Sequence, residues 1–309
     1  QMETIFERLA DRQKSWKVYF HDMPQSVTLA NLWFEAPFHF RIFDDEFEED
    51  CKSGNLPNYS FIEPRYFTSE TLDLIPNDQH PPHNVVYGEQ LIARVYNAVR
   101  SAPTWKETLL IITYDEHGGC YDHVPPPSAV VPDAASAANG GFPFNLYGVR
   151  VPAVIVSPYI APGSIVRNAP KGLPANGPPY PFDHTSIIAT LRKLFDLGEP
   201  LTKRDAVAPD LIGALSLNDP TNDGPASISP TPREPTPAEL AKAASRRPND
   251  LQRSLCHLAT RLPAKATAAP AQIEALKLAP SAASGAAFSS VADALSTVGD
   301  RLKSFLSSL

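Results

Sequence analysis

The apolar positions of this chain follow two alternating rhythms. Short β-branched and aromatic runs at Trp16–Phe20, Asn58–Ile62, Thr108–Tyr114 and Val151–Val156 read as strands, the last two as buried ones. Leu91, Ile92, Val95, Tyr96 and Val99 put one apolar face on a helix over 89–101. Ile187, Ile188, Leu191, Leu194 and Phe195 do the same over 187–195, where Asp183 or Thr185 can cap the start. Met2, Ile5, Phe6 and Leu9 open a further helical pattern. Strands alternating with helices predict an α/β fold, a mostly parallel sheet flanked by helices.

That alternation is complete near Leu215, and the composition then changes. Residues 1–220 read as the α/β domain and 221–237 as a linker rich in Pro, Ser, Thr and Asp. Residues 238–309 read as an Ala/Pro-rich extension, helical or partly disordered. Within it Leu251, Leu255, Leu258 and Leu262 form one stripe, and Val291, Leu295, Val298, Leu302, Phe305 and Leu309 another. Both are expected to pack as core or on themselves. The polar, Pro-rich linker makes this tail an expected add-on, outside the sheet and dispensable for its folding.

Three strands hand over directly to a polar group: His21, Glu63, and the pair Asp115-Glu116. In a parallel sheet these ends share the carboxyl edge, where α/β proteins place their chemistry, so the groups are expected to converge there. The third hand-over is the most informative. A β-branched run stops at two adjacent carboxylates, then Gly118-Gly119, then Asp122-His123 and a proline run. Adjacent carboxylates at that place are either hard oxygen ligands or a turn, and spacing alone leaves both open.

Charge and composition narrow the function. A net charge of −7 argues against nucleic acid as partner, because phosphate backbones need a basic face. The 33 prolines are about twice the usual share and predict long ordered loops. Cys51, Cys120 and Cys256 have no metal or disulfide spacing. No window is apolar for long enough to span a membrane. The chain opens at Gln1 and runs straight into a helical pattern, so a fragment or a processed chain is expected, with any targeting segment upstream.

Several motifs in order carry a resemblance. Ser15-Trp16-Lys17-Val18-Tyr19, Phe61-Ile62-Glu63-Pro64, Asn77-Asp78-Gln79-His80-Pro81-Pro82 and Tyr114-Asp115-Glu116-His117-Gly118-Gly119 resemble the bacterial phosphoesterase family of non-haemolytic phospholipases C and acid phosphatases. Arg150-Val151-Pro152, Ser157-Pro158-Tyr159 and Phe182-Asp183-His184-Thr185-Ser186 extend the match to about residue 205. The resemblance implies an alkaline-phosphatase-like fold, hydrolysis of a phosphate ester and one divalent metal ion beside a Ser or Thr nucleophile. It makes Asp115 and Glu116 metal ligands. The family's Glu-Asn-containing first motif and its nucleophile have no counterpart here, so residues 1–220 are expected to be the C-terminal part of the catalytic domain, with the nucleophile upstream of Gln1. Secretion or a periplasmic location is implied in the same way.

The remaining candidates take chemical roles. His80, in a Pro-stiffened loop, is placed to donate to a phosphate oxygen or protonate a leaving group, or else bonds backbone; His21 has the same two readings. His123 braces the Pro loop or stands behind the ligands. His184, at a helix start, packs there or helps hold phosphate. Glu63 reads as a structural acceptor, the run Asp44–Asp50 as a solvated face, and His83, His117 and His257 as surface. The function expected is a phospholipase C cleaving a phospholipid head-group phosphodiester. An acid phosphatase on monoesters, or a non-catalytic homologue that binds lipid or a partner, is the alternative.

Overall fold

The structure is a computed structural model and describes residues 3–134, 142–167, 179–263 and 288–307. In chain order the elements are α1 (Ile5–Asp11), β1 (Trp16–Phe20), α2 (Ala36–His39), β2 (Phe40–Ile42), α3 (Phe43–Ser53), β3 (Tyr59–Ile62) and α4 (Val85–Ser101). Then come β4 (Leu110–Thr113), β5 (Ala153–Val156), α5 (Thr185–Phe195), α6 (Lys203–Val207), α7 (Pro237–Ser245), α8 (Asp250–Arg261) and α9 (Val291–Leu306). The chain divides into two compact units, Ser15–Ala98 with Ser227–Leu309, and Met2–Lys14 with Val99–Ala226.

The first unit is built on a parallel sheet of order β2-β1-β3. Val18 of the central strand pairs with Phe40 on one side and Phe61 on the other. Val18, Tyr19 and Phe20 are buried, so β1 is covered on both faces, as a central parallel strand requires. Helix α3 covers it with Phe43, Phe47 and Cys51, which recur every four residues and are all buried. Its acids Asp44, Asp45, Glu48 and Glu49 are exposed, as expected of a solvated face. Two of the run also hold partners: Asp50 accepts from Lys17 Nζ and Tyr19 OH, both at 2.5 Å, and Asp44 from Arg65 at 3.2 Å. Gly54, at φ 74°, ends the helix in the left-handed conformation that glycine adopts without a Cβ clash.

The tail belongs to this same unit, which differs from the add-on expected from composition. Leu255 and Leu262 of one apolar stripe and Val291, Val298, Leu302 and Phe305 of the other are buried, Leu251, Leu258 and Leu295 are half-buried, and Leu309 lies outside the described residues. Trp33 meets Phe305 edge to face at 6.2 Å, and the buried Gln252 side chain donates to the Tyr66 carbonyl at 2.7 Å. The polar stretch before it is also held. Asn97 exchanges two bonds of 2.9 Å with the backbone of Ile228, and Gln90 donates to the Arg233 carbonyl at 3.1 Å. Side-chain amides on α4 thus fix a segment whose composition resembles a free linker. The Pro/Ala/Ser-rich stretch 264–287 lies outside the described residues.

In the second unit β4 and β5 pair antiparallel, Leu110 opposite Val156 and Thr113 opposite Ala153. They form a two-stranded sheet of their own. With only each other as neighbours they are not fully buried, and Val154 is 55% exposed, against the sequence expectation of buried strands. Among the described residues β4 and β5 share no sheet with β1 and β3, so a shared sheet edge is no longer an argument for bringing Asp115 and Glu116 to His21 and Glu63. The N-cap position of helix α5 is held by His184 and not by either capping candidate, although Asp183 Oδ1, one residue ahead, accepts the Thr185 N–H at 2.7 Å. Among the described residues no helix is long and apolar enough to cross a membrane.

The tail contacts lead to a stability prediction. Phe305→Ala empties a fully buried site against Trp33 and should cost about 3–5 kcal/mol in urea unfolding followed by Trp fluorescence. A loss within error would mean that the tail does not contribute to the core of this unit.

Candidate active site

The carboxyl edge of the parallel sheet is closed by two crossed carboxylates. Asp22 follows β1 and accepts the backbone N–H groups of Tyr66 and Phe67, beyond β3, at 2.8 and 2.7 Å. Glu63 follows β3 and accepts the backbone N–H groups of Gln25 and Ser26, beyond β1, at 2.5 and 3.0 Å. Ser26 Oγ and Tyr66 OH also donate to Glu63. Each strand's exit loop is therefore pinned by the acid of the other. Burial pushes the Glu63 carboxyl up, while the donors on Ser26 and Gln25 pull it back. Dehydration pushes Asp22 up to about 7, against the pull of Met23, Phe67 and Tyr66 N–H. Glu63 is thus the structural acceptor that its place before Pro64 suggests.

His21 sits on this clasp. Its Nδ1 lies 2.8 Å from the Glu63 carbonyl, and its ring stacks on Phe43 at 4.5 Å. A carbonyl only accepts, so Nδ1 carries the proton in the neutral ring and Nε2 presents a lone pair. Burial and the Arg65 charge lower its pKa to about 4. Neutral His21 is therefore a hydrogen-bond acceptor or a base at its open nitrogen. Arg65 is 12% exposed at its side chain and pairs with Asp44 at 3.2 Å. It was absent from the sequence candidates, although it directly follows the Phe61–Pro64 motif.

The loop carrying His80 is tied to the same edge. Asn77 Oδ1 accepts Arg65 N–H at 2.5 Å, and Asn77 N–H returns a bond to the Arg65 carbonyl at 3.0 Å. His80 donates Nδ1–H to the Pro81 carbonyl at 2.6 Å, which again leaves Nε2 open. His83, read from sequence as surface, bonds Asp78 Oδ1 through Nδ1 at 2.7 Å, and its side chain is 13% exposed. The first unit thus brings His21, Arg65, Asp78, His80 and His83 to one strand edge.

In the second unit the Asp115-Glu116 pair forms a turn off β4. Asp115 Oδ1 accepts Glu116 N–H at 3.0 Å, and Glu116 Oε2 accepts Gly118 N–H at 2.7 Å. Gly118 and Gly119, at φ 63° and 72°, reverse the chain in a conformation other residues rarely adopt. Both carboxylates remain exposed. His184, on the first turn side of α5, donates Nε2–H to the Tyr114 carbonyl at 2.7 Å, so it fastens the residue just before the pair. His123 stands 81% exposed at 3.5 Å from Asp122. The partner that braces the Pro loop is Arg150, which grips Asp122 through two bonds of 2.7 and 2.8 Å and holds that carboxyl far below its usual range.

The donor types suit a divalent cation, since exposed carboxylates offer hard oxygens. Each, however, already takes a backbone N–H. Among the described residues no group of three or more His, Cys, Asp or Glu could hold a metal ion. The described residues therefore fit a contribution to a metal shell and not a whole one.

The profile of the Phosphoesterase family matches residues 1–198, which include every group just described up to His184. The chain belongs to the Phosphoesterase family. Relatives within it include the non-specific phospholipase C4 of Arabidopsis thaliana, 40% identical over 74% of this chain, and non-specific phospholipase C3 of the same plant, 38% identical over 74%. Phospholipase C B of Mycobacterium tuberculosis is 32% identical over 70% of the chain. The chain spans 42% to 44% of the length of these three relatives. The family match ends before the tail, so the described tail residues 227–263 and 288–307 belong to the unit of the family-matched sheet although the family profile does not extend to them.

His21 sets a pH dependence of stability. Its folded pKa, about 4, lies below its ordinary value of 6.5, so the unfolded chain takes up the proton first. The contribution is full above pH 6.5 and falls as pH drops toward 4. Urea titrations should find a His21→Gln variant losing about 2 kcal/mol less than wild type between pH 7 and pH 5. Equal losses in the two proteins would show that His21 titrates normally in the fold.

Proposed function

We propose that this chain carries part of the catalytic machinery of a phospholipase C, hydrolysing the phosphodiester that joins a phospholipid to its head group. The observation that carries this is the identity of about 40% to proteins named non-specific phospholipase C, over 74% of the chain. In this proposal Asp115 and Glu116 give oxygens to one divalent ion, and such an ion offsets charge on phosphoryl oxygens. Tyr114, fastened by His184, fixes the direction in which the pair leaves its strand.

His80, in its imidazolium form with both nitrogens protonated, donates from Nε2 to a phosphate oxygen, and neutral His21 accepts at its own Nε2. His123, the most exposed of the candidates, and His184 act around the pair and not on the reacting phosphorus. The nucleophile is a Ser or Thr hydroxyl from sequence preceding Gln1. Lipid is the substrate, and export from the cytoplasm belongs to the same proposal. An acid phosphatase acting on monoesters is the second reading, since the resemblance covers both kinds of enzyme.

The assay compares p-nitrophenylphosphorylcholine with p-nitrophenyl phosphate, with divalent metal, in the protein carrying this chain and any sequence that precedes it. Diester turnover should dominate, disappear with chelator and fall at least about 100-fold in Asp115→Asn, the scale of a lost electrostatic contact at a reacting phosphate. Residues 1–309 assayed alone should turn over neither ester. Preference for the monoester would favour the phosphatase. Robust turnover by residues 1–309, abolished by Asp115→Asn, would place the nucleophile among them.

A further inference from the structure

Asp78 is the least comfortable acid at the carboxyl edge. Its side chain is 3% exposed. Oδ1 serves His83 Nδ1 at 2.7 Å and, weakly, His80 N–H at 3.3 Å. Oδ2 is buried with no hydrogen-bond partner among the described residues. An acid that only shaped a turn would gain nothing from such burial, because an unmatched oxygen away from water is unfavourable. Its one strong contact is the imidazole of His83, so its physical effect falls on that ring. A carboxylate accepts and does not donate, so it fixes the proton on Nδ1 and leaves Nε2 as the working nitrogen, as the acid of an Asp-His pair does in hydrolases.

We propose that His83 is the catalytic acid that protonates the leaving alcohol of the phosphodiester, with Asp78 as its positioning residue. The proposal rests on the phosphodiester reading above and deepens it. His80 and His83 have ring centroids 6.5 Å apart, close enough for both to address one phosphate group. Their anchors differ. His80 leans on a neutral carbonyl, and His83 on a carboxylate that keeps its bond to Nδ1 in both protonation states of the ring. Phosphate contact therefore falls to His80 and proton transfer to His83.

In the step, the Ser or Thr hydroxyl oxygen forms a bond to phosphorus, and the bond from phosphorus to the lipid alcohol oxygen breaks. The Nε2 proton of the His83 imidazolium passes to that oxygen, leaving a neutral imidazole and a free alcohol. The Nδ1 proton stays on its bond to Asp78. The nucleophile's own proton leaves to water, and water returns one to Nε2 once the alcohol has gone.

Leaving-group dependence separates an acid from a structural residue. A p-nitrophenolate leaves without help, and an alkoxide does not. With divalent metal, His83→Gln in the protein carrying this chain should lower kcat/KM on an alkyl phosphorylcholine about 100-fold or more. On p-nitrophenylphosphorylcholine the loss should stay below about tenfold. Asp78→Asn should show the same split, smaller in size. Equal losses on both esters, or no loss on the alkyl ester, would overturn the proposal while leaving the phosphodiester reading intact.

Should wild type hydrolyse neither ester, the phosphodiester reading itself fails. Proton–carbon spectra of the histidines titrated with inorganic phosphate then test the pair directly. A shift of the His83 ring signal that weakens in Asp78→Asn would keep His83 as a phosphate-site imidazole, and its absence would overturn that role too.

Discussion

Two carboxylates crossing between the exits of β1 and β3 hold the rest of this edge in place. Asp22 bonds the backbone beyond β3, and Glu63 bonds the backbone beyond β1. Parallel neighbours have no hairpin to join their ends, so their exit loops need some other tie. Here the tie consists of hydrogen bonds from backbone N–H groups, which would otherwise be unmatched, to two buried carboxyls. Everything chemical in this unit hangs from it. Glu63 presents its carbonyl to His21, and Arg65 presents its backbone to Asn77, which starts the loop of His80 and His83.

Three imidazoles on this edge share one device. His21, His80 and His83 are each tethered through Nδ1, to a carbonyl, a carbonyl and a carboxylate. Each acceptor dictates the same tautomer and turns Nε2 outward. His184 is tethered the opposite way, through Nε2 to the Tyr114 carbonyl. Its task at the Asp115-Glu116 turn is to fix backbone, which suits a helix-start histidine beside a pair of exposed carboxylates. The tether, more than the mere presence of a histidine, distinguishes groups available to a substrate from groups that are occupied.

Much of this was legible in the residues. Trp16–Phe20 reads as a strand and is one, because four aromatic or β-branched residues in five leave little alternative. The motif at Tyr114 announces a chemical turn, and Glu63 before Pro64 announces an acceptor. Strand pairing was not legible. Thr108–Tyr114 looks like any other buried parallel strand, yet β4 pairs antiparallel with β5 in a separate sheet, because periodicity carries no information about partners. Helix α3 was hidden by its acids, whose partners Lys17, Arg65 and Arg94 lie far away in sequence. His83 was passed over for the same reason: its worth lies in the burial of Asp78, and a sequence does not display burial. The tail misled through composition, since the Pro-rich run before it looks free and is held by Asn97 and Gln90.

The tautomers of these histidines test the account most directly. Long-range proton–nitrogen spectra recorded near pH 8.5, about two units above the ordinary histidine pKa, report which ring nitrogen carries the proton. The tethers predict Nδ1–H with bare Nε2 at His21, His80 and His83, and the reverse, Nε2–H with bare Nδ1, at His184. Nε2–H at His21 or His83 would contradict the account, because the Glu63 carbonyl or the Asp78 carboxylate would then be holding nothing.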